Sequence, residues 1–283
     1  MTPASIQTEP PLSPEQLEFF ARNGFLLAKG LVTESERAAV DRDSMALIDK
    51  GRNGPFGDKR WQYRTDPEHG NKNCLYRVNQ LQADDMPRSF QMLLAYPPLL
   101  HAVSQLMGGD TFAASVHSLV FKLPYHGVPA PWHQDPVKVF RFPVFNTDIY
   151  LDAANPDNGG LWVIPGSHLA GYHNPTYNPG FIESWTSGIE AGAPGAIPVA
   201  AEPGDVIFHA TTLIHGSFWN RSSDLRRTIY FHMDHLEDIR LAGDRWPQNG
   251  FEAAHRVTAD AIAERTRVHP AETPFNYPDI GTE

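Results

Sequence analysis

The sequence predicts a β-rich core flanked by helices, and three observations carry that reading. Helix start and stop signals crowd the chain before Phe112, and from there onward the apolar periodicity shifts towards two. Proline (25 residues) and glycine (22) cut the chain into short segments, which suits many short strands better than a helical bundle. Helices come first and strands follow, so the order is not the alternation of β-α units.

In chain order, residues 1–12 read as a flexible polar tail. Ser13 can cap a first helix in "SPEQLEFFARNG", with Pro14 in its first turn and Gly24 beyond its end. "FLLAKG" has the length of a strand. Thr33 followed by Glu36 has capping-box spacing and opens a second helix through about Ile48. Residues 51–73, "GRNGPFGDKRWQYRTDPEHGNKN", read as a long loop rich in aromatic and basic side chains. "PPLLHAVSQLMGG" reads as a third helix, started by proline and stopped by glycine. The expected strands are "ASVHSLVFKL", "PWHQD", "FNTDIYLDAA", "GLWVIPG", "GDVIFHA" and "LRRTIYFHM", separated by glycine, proline and asparagine turns. Residues 171–198 are too long for an ordinary connection and are either functional or disordered. The last ~45 residues carry weak helix signals. No repeat and no linker-like composition divides the chain. One domain is therefore expected over residues 1–283, with its β core at about 112–235.

Charge and cysteine content narrow the function classes. A formal charge of −10 argues against a nucleic-acid partner. No run of 18 apolar residues exists to span a membrane. The N-terminus lacks the basic start and apolar centre of a secretory signal, so a cytoplasmic protein is expected. Cys74, the single cysteine, excludes an internal disulfide and a cysteine-rich metal site. It reads as a small buried residue rather than a nucleophile. The sequence leaves the choice between monomer and homodimer open.

Chemistry concentrates in "APWHQDPVKVF". Residues two apart in a strand point to one face, so His133 and Asp135 would project together as two of three metal ligands. Thirteen histidines compete for the third position. His168, in "PGSH" at a turn, reads as a loop tie, and His173, His235, His255 and His269 carry no partner signal. His209 and His215 remain. They are six apart, and parity in an unbroken strand would aim both the same way. Context favours His215. Gly216 and Ser217 follow it and admit close approach of a ligand, and Arg226 returns 11 residues later with a fork that matches a carboxylate.

"HQD", "NGGLWVIPGSH" and "HGSFWNRSSDLRR" together resemble the phytanoyl-CoA dioxygenase family of iron- and 2-oxoglutarate-dependent oxygenases. The resemblance covers roughly residues 13 to 235. It implies a double-stranded β-helix, a cupin-like jelly roll of two packed sheets. It also implies that His133, Asp135 and His215 hold Fe(II), that Arg226 and Ser217 bind the far carboxylate of 2-oxoglutarate, and that O2 is the second co-substrate. Arg77, in "LYRVNQL", resembles a basic residue that some members place near 2-oxoglutarate. Zinc also takes this donor set, but a zinc hydrolase needs a general base, whereas Arg226 asks for a carboxylate.

The implied reaction hydroxylates an unactivated C–H bond of a small organic metabolite, with release of succinate and CO2. A natural-product intermediate is one such metabolite. Asp135 retains the carboxylate that related halogenases lack, which speaks against halogenation. Desaturation, epoxidation, cyclisation or isomerisation would use the same site, and a jelly-roll module that merely binds metal is the non-enzyme alternative. The acidic balance offers no basic patch for the phosphates of coenzyme A. Phe56, Trp61, Tyr63, Tyr172, Tyr177, Phe181 and Trp185 are expected to cover an apolar substrate, with Trp61, Tyr63, Tyr172 and Trp185 as its contacts. Lys122 and Arg227 are expected to be solvated, and Trp132 to face away from the ligands.

Overall fold

The computed structural model describes residues 11–54, 56–65, 70, 72–136, 141–174, 195–243 and 250–279. Local signals fix the first elements. Ser13 Oγ accepts from the Gln16 amide while Gln16 Oε1 accepts from the Ser13 amide, so a reciprocal cap opens α1 (Pro14–Asn23). Gly24 ends it at φ +78°, where a Cβ would also lie 2.4 Å from the His168 ring. β1 (Phe25–Ala28) follows directly. Thr33 Oγ1 accepts from the Glu36 amide and starts α2 (Glu34–Arg52), which runs one turn past the expected Ile48.

The segment 51–73 departs from its loop reading. It contains β2 (Trp61–Arg64), which pairs with β3 (Cys74–Asn79). Four residues carry too little periodicity to reveal a strand, and tertiary pairing supplies what propensity does not. Cys74 is half-buried at the start of β3 rather than in the core. α3 (Ser89–Leu94), which has no side-chain cap, precedes α4 (Pro97–Met107), the proline-started helix.

The remaining strands are β4 (Phe112–Lys122), β5 (Ala130–His133), β6 (Phe145–Tyr150), β7 (Leu161–Val163), β8 (Ile197–Val199), β9 (Val206–Ala210), β10 (His215–Ser217) and β11 (Arg226–His235). Two helices close the described chain, α5 (Leu236–Ala242) and α6 (Gly250–Val268), where weak helix signals stood. The strands form two antiparallel sheets, β1-β9-β6-β11-β4-β3-β2 and β5-β10-β7-β8. This is the expected jelly roll, with the helices against the larger sheet.

Alternation divides the larger sheet into two faces. Phe145, Ile149, Phe208, Ile229, Phe231, Leu119 and Phe121 face the helices in the main apolar core. A second apolar cluster, including Tyr150, Ile207, Leu161, Val163 and Val199, joins the two sheets. Each fully buried side chain of this size contributes ~1.5–3 kcal/mol to folding. Beyond that cluster the space between the sheets turns polar, because the inward positions of β6 and β11 carry Asn146, Asp148, Arg226, Thr228 and Tyr230.

Two surface expectations are corrected here. Arg227 does point away from Arg226, but α2 covers that face. It is 8% exposed, paired with Asp152 at 2.7 Å and donating to Ser44 Oγ at 2.9 Å. Lys122 is 4% exposed, on the inner face, and its ammonium donates to the carbonyls of Val128, Ser217 and Phe218 at 2.8, 3.2 and 2.5 Å.

Candidate metal centre and co-substrate pocket

His133 and His215 are register partners across β5 and β10, so the smaller sheet delivers both imidazoles side by side, with ring centroids 4.2 Å apart. Asp135 lies just beyond β5, and its amide donates to the Thr211 carbonyl at 2.8 Å. Strand parity thus accounts for His133, while a loop hydrogen bond brings Asp135 back to the same side. His133 Nε2 is 3.5 Å from Asp135 Oδ1, and His215 Nε2 is 3.8 Å from Oδ2. One ligand atom from each of the three side chains falls within 4.8 Å of the others.

The hydrogen bonds fix which nitrogen is available. His133 Nδ1 meets the Pro131 carbonyl at 2.7 Å, and His215 Nδ1 meets the Leu213 carbonyl at 2.9 Å. A carbonyl only accepts, so both Nδ1 atoms carry the proton and both Nε2 lone pairs face the shared space. Burial pushes His215 down to about 3, which keeps it neutral and able to ligate. Burial opposes ionisation of Asp135, but the His133 hydrogen bond and the surrounding imidazoles hold its carboxyl well below the usual range. Two neutral imidazoles and a carboxylate gathered on one side suit a divalent iron with open positions opposite. The residues present fit that ion.

His209 comes close without joining the triad. The chain leaves the larger sheet after Ala210 and enters the smaller one at His215, which breaks the strand that parity assumed. His209 Nε2 accepts from Asn146 Nδ2 at 2.9 Å, and Nδ1 lies 3.2 Å from Asp148 Oδ2. Nε2 is therefore occupied, while Nδ1 is buried beside that carboxylate without a hydrogen bond among the described residues. Asn146, which the sequence reading missed, also donates to Asp135 Oδ2 at 2.5 Å and accepts from Tyr230 Oη and His232 Nδ1. A signal for it existed. "FNTDIY" places a polar or amphipathic residue at every inward position of a strand buried throughout.

A cavity of about 200 Å³ opens beside the triad, and Arg226, Ser217, Arg77, Lys122, Tyr150 and Tyr230 also line it. Arg226 is 5% exposed, donates to Thr228 Oγ1 at 2.8 Å, and has a buried Nε with no partner among the described residues. Burial lowers its affinity for its proton, against the opposing effect of Tyr150 and Asp148. A buried guanidinium of this kind awaits an anion. Ser217 Oγ donates to the Gly159 carbonyl at 2.9 Å, so it must rotate before it can donate to a carboxylate. Arg77 is held by Asn79 Oδ1 at 2.7 Å and by Ser118 Oγ at 2.8 Å.

The expected substrate aromatics that fall among the described residues lie outside the cavity lining. Trp61 is in the core, its indole donating to the Leu47 carbonyl at 3.0 Å, and Tyr63 donates to the Gly51 carbonyl at 2.8 Å. Both pack on α2 and neither lines the cavity, and Phe56 packs on Tyr63. Tyr172 is half-buried outside the cavity lining, and Tyr177, Phe181 and Trp185 lie outside the described residues. Trp132 packs on Phe218, facing away from the ligands as alternation requires.

Comparison with known proteins agrees with this arrangement. The family model for phytanoyl-CoA dioxygenase (PhyH) matches residues 20–228, well over half of the chain. Phytanoyl-CoA dioxygenase 1 of Oryza sativa subsp. japonica is 25% identical over 289 residues, covering 84% of this chain and 94% of its own. The crystal structure of AviO1 from Streptomyces viridochromogenes is similar with a TM-score of 0.65 at 28% identity, over 80% of this chain and 96% of that one. EctD from S. alaskensis, solved with bound Fe, shares the fold with a TM-score of 0.63 at 20% identity, over 83% of this chain and 81% of that one. The chain belongs to the phytanoyl-CoA dioxygenase family of iron(II)- and 2-oxoglutarate-dependent oxygenases.

Proposed function

We propose that the protein hydroxylates a C–H bond of a small organic metabolite, using His133, Asp135 and His215 to hold iron and Arg226 to hold 2-oxoglutarate. One observation carries the reading. A buried guanidinium with an unpartnered nitrogen shares one small cavity with a carboxylate and two correctly oriented imidazoles. Bound there, iron with O2 and 2-oxoglutarate supplies the oxidising power, and succinate and CO2 are released.

The residues of this chain do the positioning. The carbonyls of Pro131 and Leu213 fix the tautomers of the two histidines, so in each neutral ring Nε2 is the ligating atom. Asn146 keeps Asp135 Oδ2 in place and ties it to the larger sheet. Arg226 sets the orientation of the dicarboxylate by pairing with the end remote from the metal, with a rotated Ser217 hydroxyl beside it. Val120 and Leu161 line the same cavity and limit the water that reaches it.

Titration of the metal-loaded protein with 2-oxoglutarate tests the reading. Arg226→Ala should weaken binding by about 2–5 kcal/mol, because it leaves one carboxylate desolvated without its partner. Arg227→Ala is the control. It should lower the melting temperature through loss of the Asp152 pair and leave 2-oxoglutarate affinity near wild type. Equal affinity in the wild type and Arg226→Ala would refute the proposed role.

A further inference from the structure

A second cavity, of about 670 Å³, lies at the end of β3, where β4 runs on beneath α6. Arg77 lines this cavity and the one beside the triad, so the two spaces adjoin at that residue. The metal-side space, at about 200 Å³, is smaller than the roughly 300–1,000 Å³ of ordinary ligand sites. With 2-oxoglutarate in it, little room remains there for a second organic molecule. The neighbouring cavity has that room.

Its walls offer hydrogen-bond donors. The Arg77 guanidinium only donates, so the oxygen of Asn79 must be the atom that faces it at 2.7 Å. Ser118 Oγ donates to the same oxygen at 2.8 Å. The amide nitrogen of Asn79 is then a donor with no partner among the described residues, as is Nη1 of Arg77. Gln62 repeats the pattern, its oxygen accepting from Tyr76 Oη at 3.0 Å. Among the described residues no carboxylate lines the cavity, while one guanidinium does. Uncommitted donors around a cation, with no acid to compete, match an anionic, acceptor-rich ligand.

We infer that this second cavity seats the substrate, and that the substrate carries a carboxylate that pairs with Arg77 and accepts from Asn79 Nδ2. The inference rests on the reading of the metal-side cavity as the 2-oxoglutarate site. It moves Arg77 from the co-substrate to the substrate. It also replaces an aromatic cover with a polar anchor, and because Arg77 stands where the two cavities meet, the carbons next to that carboxylate are the ones nearest the triad.

Nickel-loaded protein saturated with 2-oxoglutarate is titrated with hexanoate and, separately, with hexanol. Hexanoate should bind at least tenfold more tightly than the alcohol. Asn79→Asp keeps an oxygen for Arg77 and Ser118 but exchanges the free donor for a second carboxylate oxygen. It should weaken hexanoate at least tenfold, with hexanol affinity, 2-oxoglutarate affinity and melting temperature close to wild type. Gln62→Glu should act in the same direction. Hexanoate binding no tighter than hexanol, or Asn79→Asp shifting both ligands equally, would overturn the inference. So would an Arg77→Gln protein that loses 2-oxoglutarate affinity and keeps hexanoate. If 2-oxoglutarate fails to bind the metal-loaded wild type, the functional reading fails. The hexanoate preference and its response to Asn79→Asp, measured without it, then decide the cavity separately.

Discussion

Asn146 is fully engaged, with two donor bonds to Asp135 and His209 and two acceptor bonds from Tyr230 and His232. Asp135 can only accept, so the amide orientation is fixed by chemistry rather than by choice. Asn146→Leu should therefore lower metal affinity by ~10–100-fold, because the carboxylate loses the group that holds it. The orphaned partners should cost a further ~1–3 kcal/mol of stability. Metal titration of the apo protein and urea unfolding measure the two effects, and unchanged metal affinity would confine Asn146 to packing. At this scale the sequence was legible where a motif marked the residue, as at His133, Asp135 and His215, which the fold gathers within reach of one another. It misplaced Lys122 and Arg227 in solvent, because a pattern of two tells which face a side chain takes and not what covers that face. It was ambiguous on His209, because parity holds only while the strand is unbroken, and the chain changes sheets between the two histidines.

Between α1 and β1 a single residue turns the chain. Gly24 sits at φ +78° and donates to the Phe20 carbonyl, and a methyl group there would press on the His168 ring and on Leu213. Gly24→Ala should destabilise the protein by more than about 1 kcal/mol, through backbone strain and displacement of the His168 loop. A urea series would show it as a lower midpoint with an unchanged slope. Long elements with caps or alternation were readable in advance, such as α1, α4, β4 and β11. β2, β8 and β10 were not, since three or four residues hold too few repeats to show a period, and their partners in the sheet define them. Trp61 and Tyr63 illustrate the same limit. Their aromatic character suggested a ligand, and only the packing of α2 against β3 shows that they belong to the core.

The whole molecule should lose stability as pH falls through the histidine range. Burial pushes His117 down to about 4, and metal-free His215 down to about 3. In the unfolded chain both take up protons near 6.5. Below that pH the unfolded state binds more protons than the folded one, so stability declines from about pH 6.5 towards 4. His133 and His232 are buried too, but Asp135 and Asp234 shift them upward, so their contribution is complete below 6.5 and does not offset the decline. The urea midpoint of the apo protein, followed from pH 7 to pH 4, should fall, and His117→Gln should flatten part of that slope. A flat wild-type profile would contradict the burial assigned to both rings.

The two sheets do not share the proposed ligand equally. The metal-binding side chains come from β5, the residues just after it and β10, all on the smaller sheet, whereas Arg226 stands on the larger one. A molecule that chelates at one wall and pairs at the other is a cross-brace between two plates. Without it, the smaller sheet, with three of its four strands only three residues long and the other only four, can breathe independently of the larger. With metal and 2-oxoglutarate in place, the plates should open only together. Amide hydrogen exchange in β5, β7 and β10 should then slow towards the rate of β6 and β11, even though the ligand touches few of those amides.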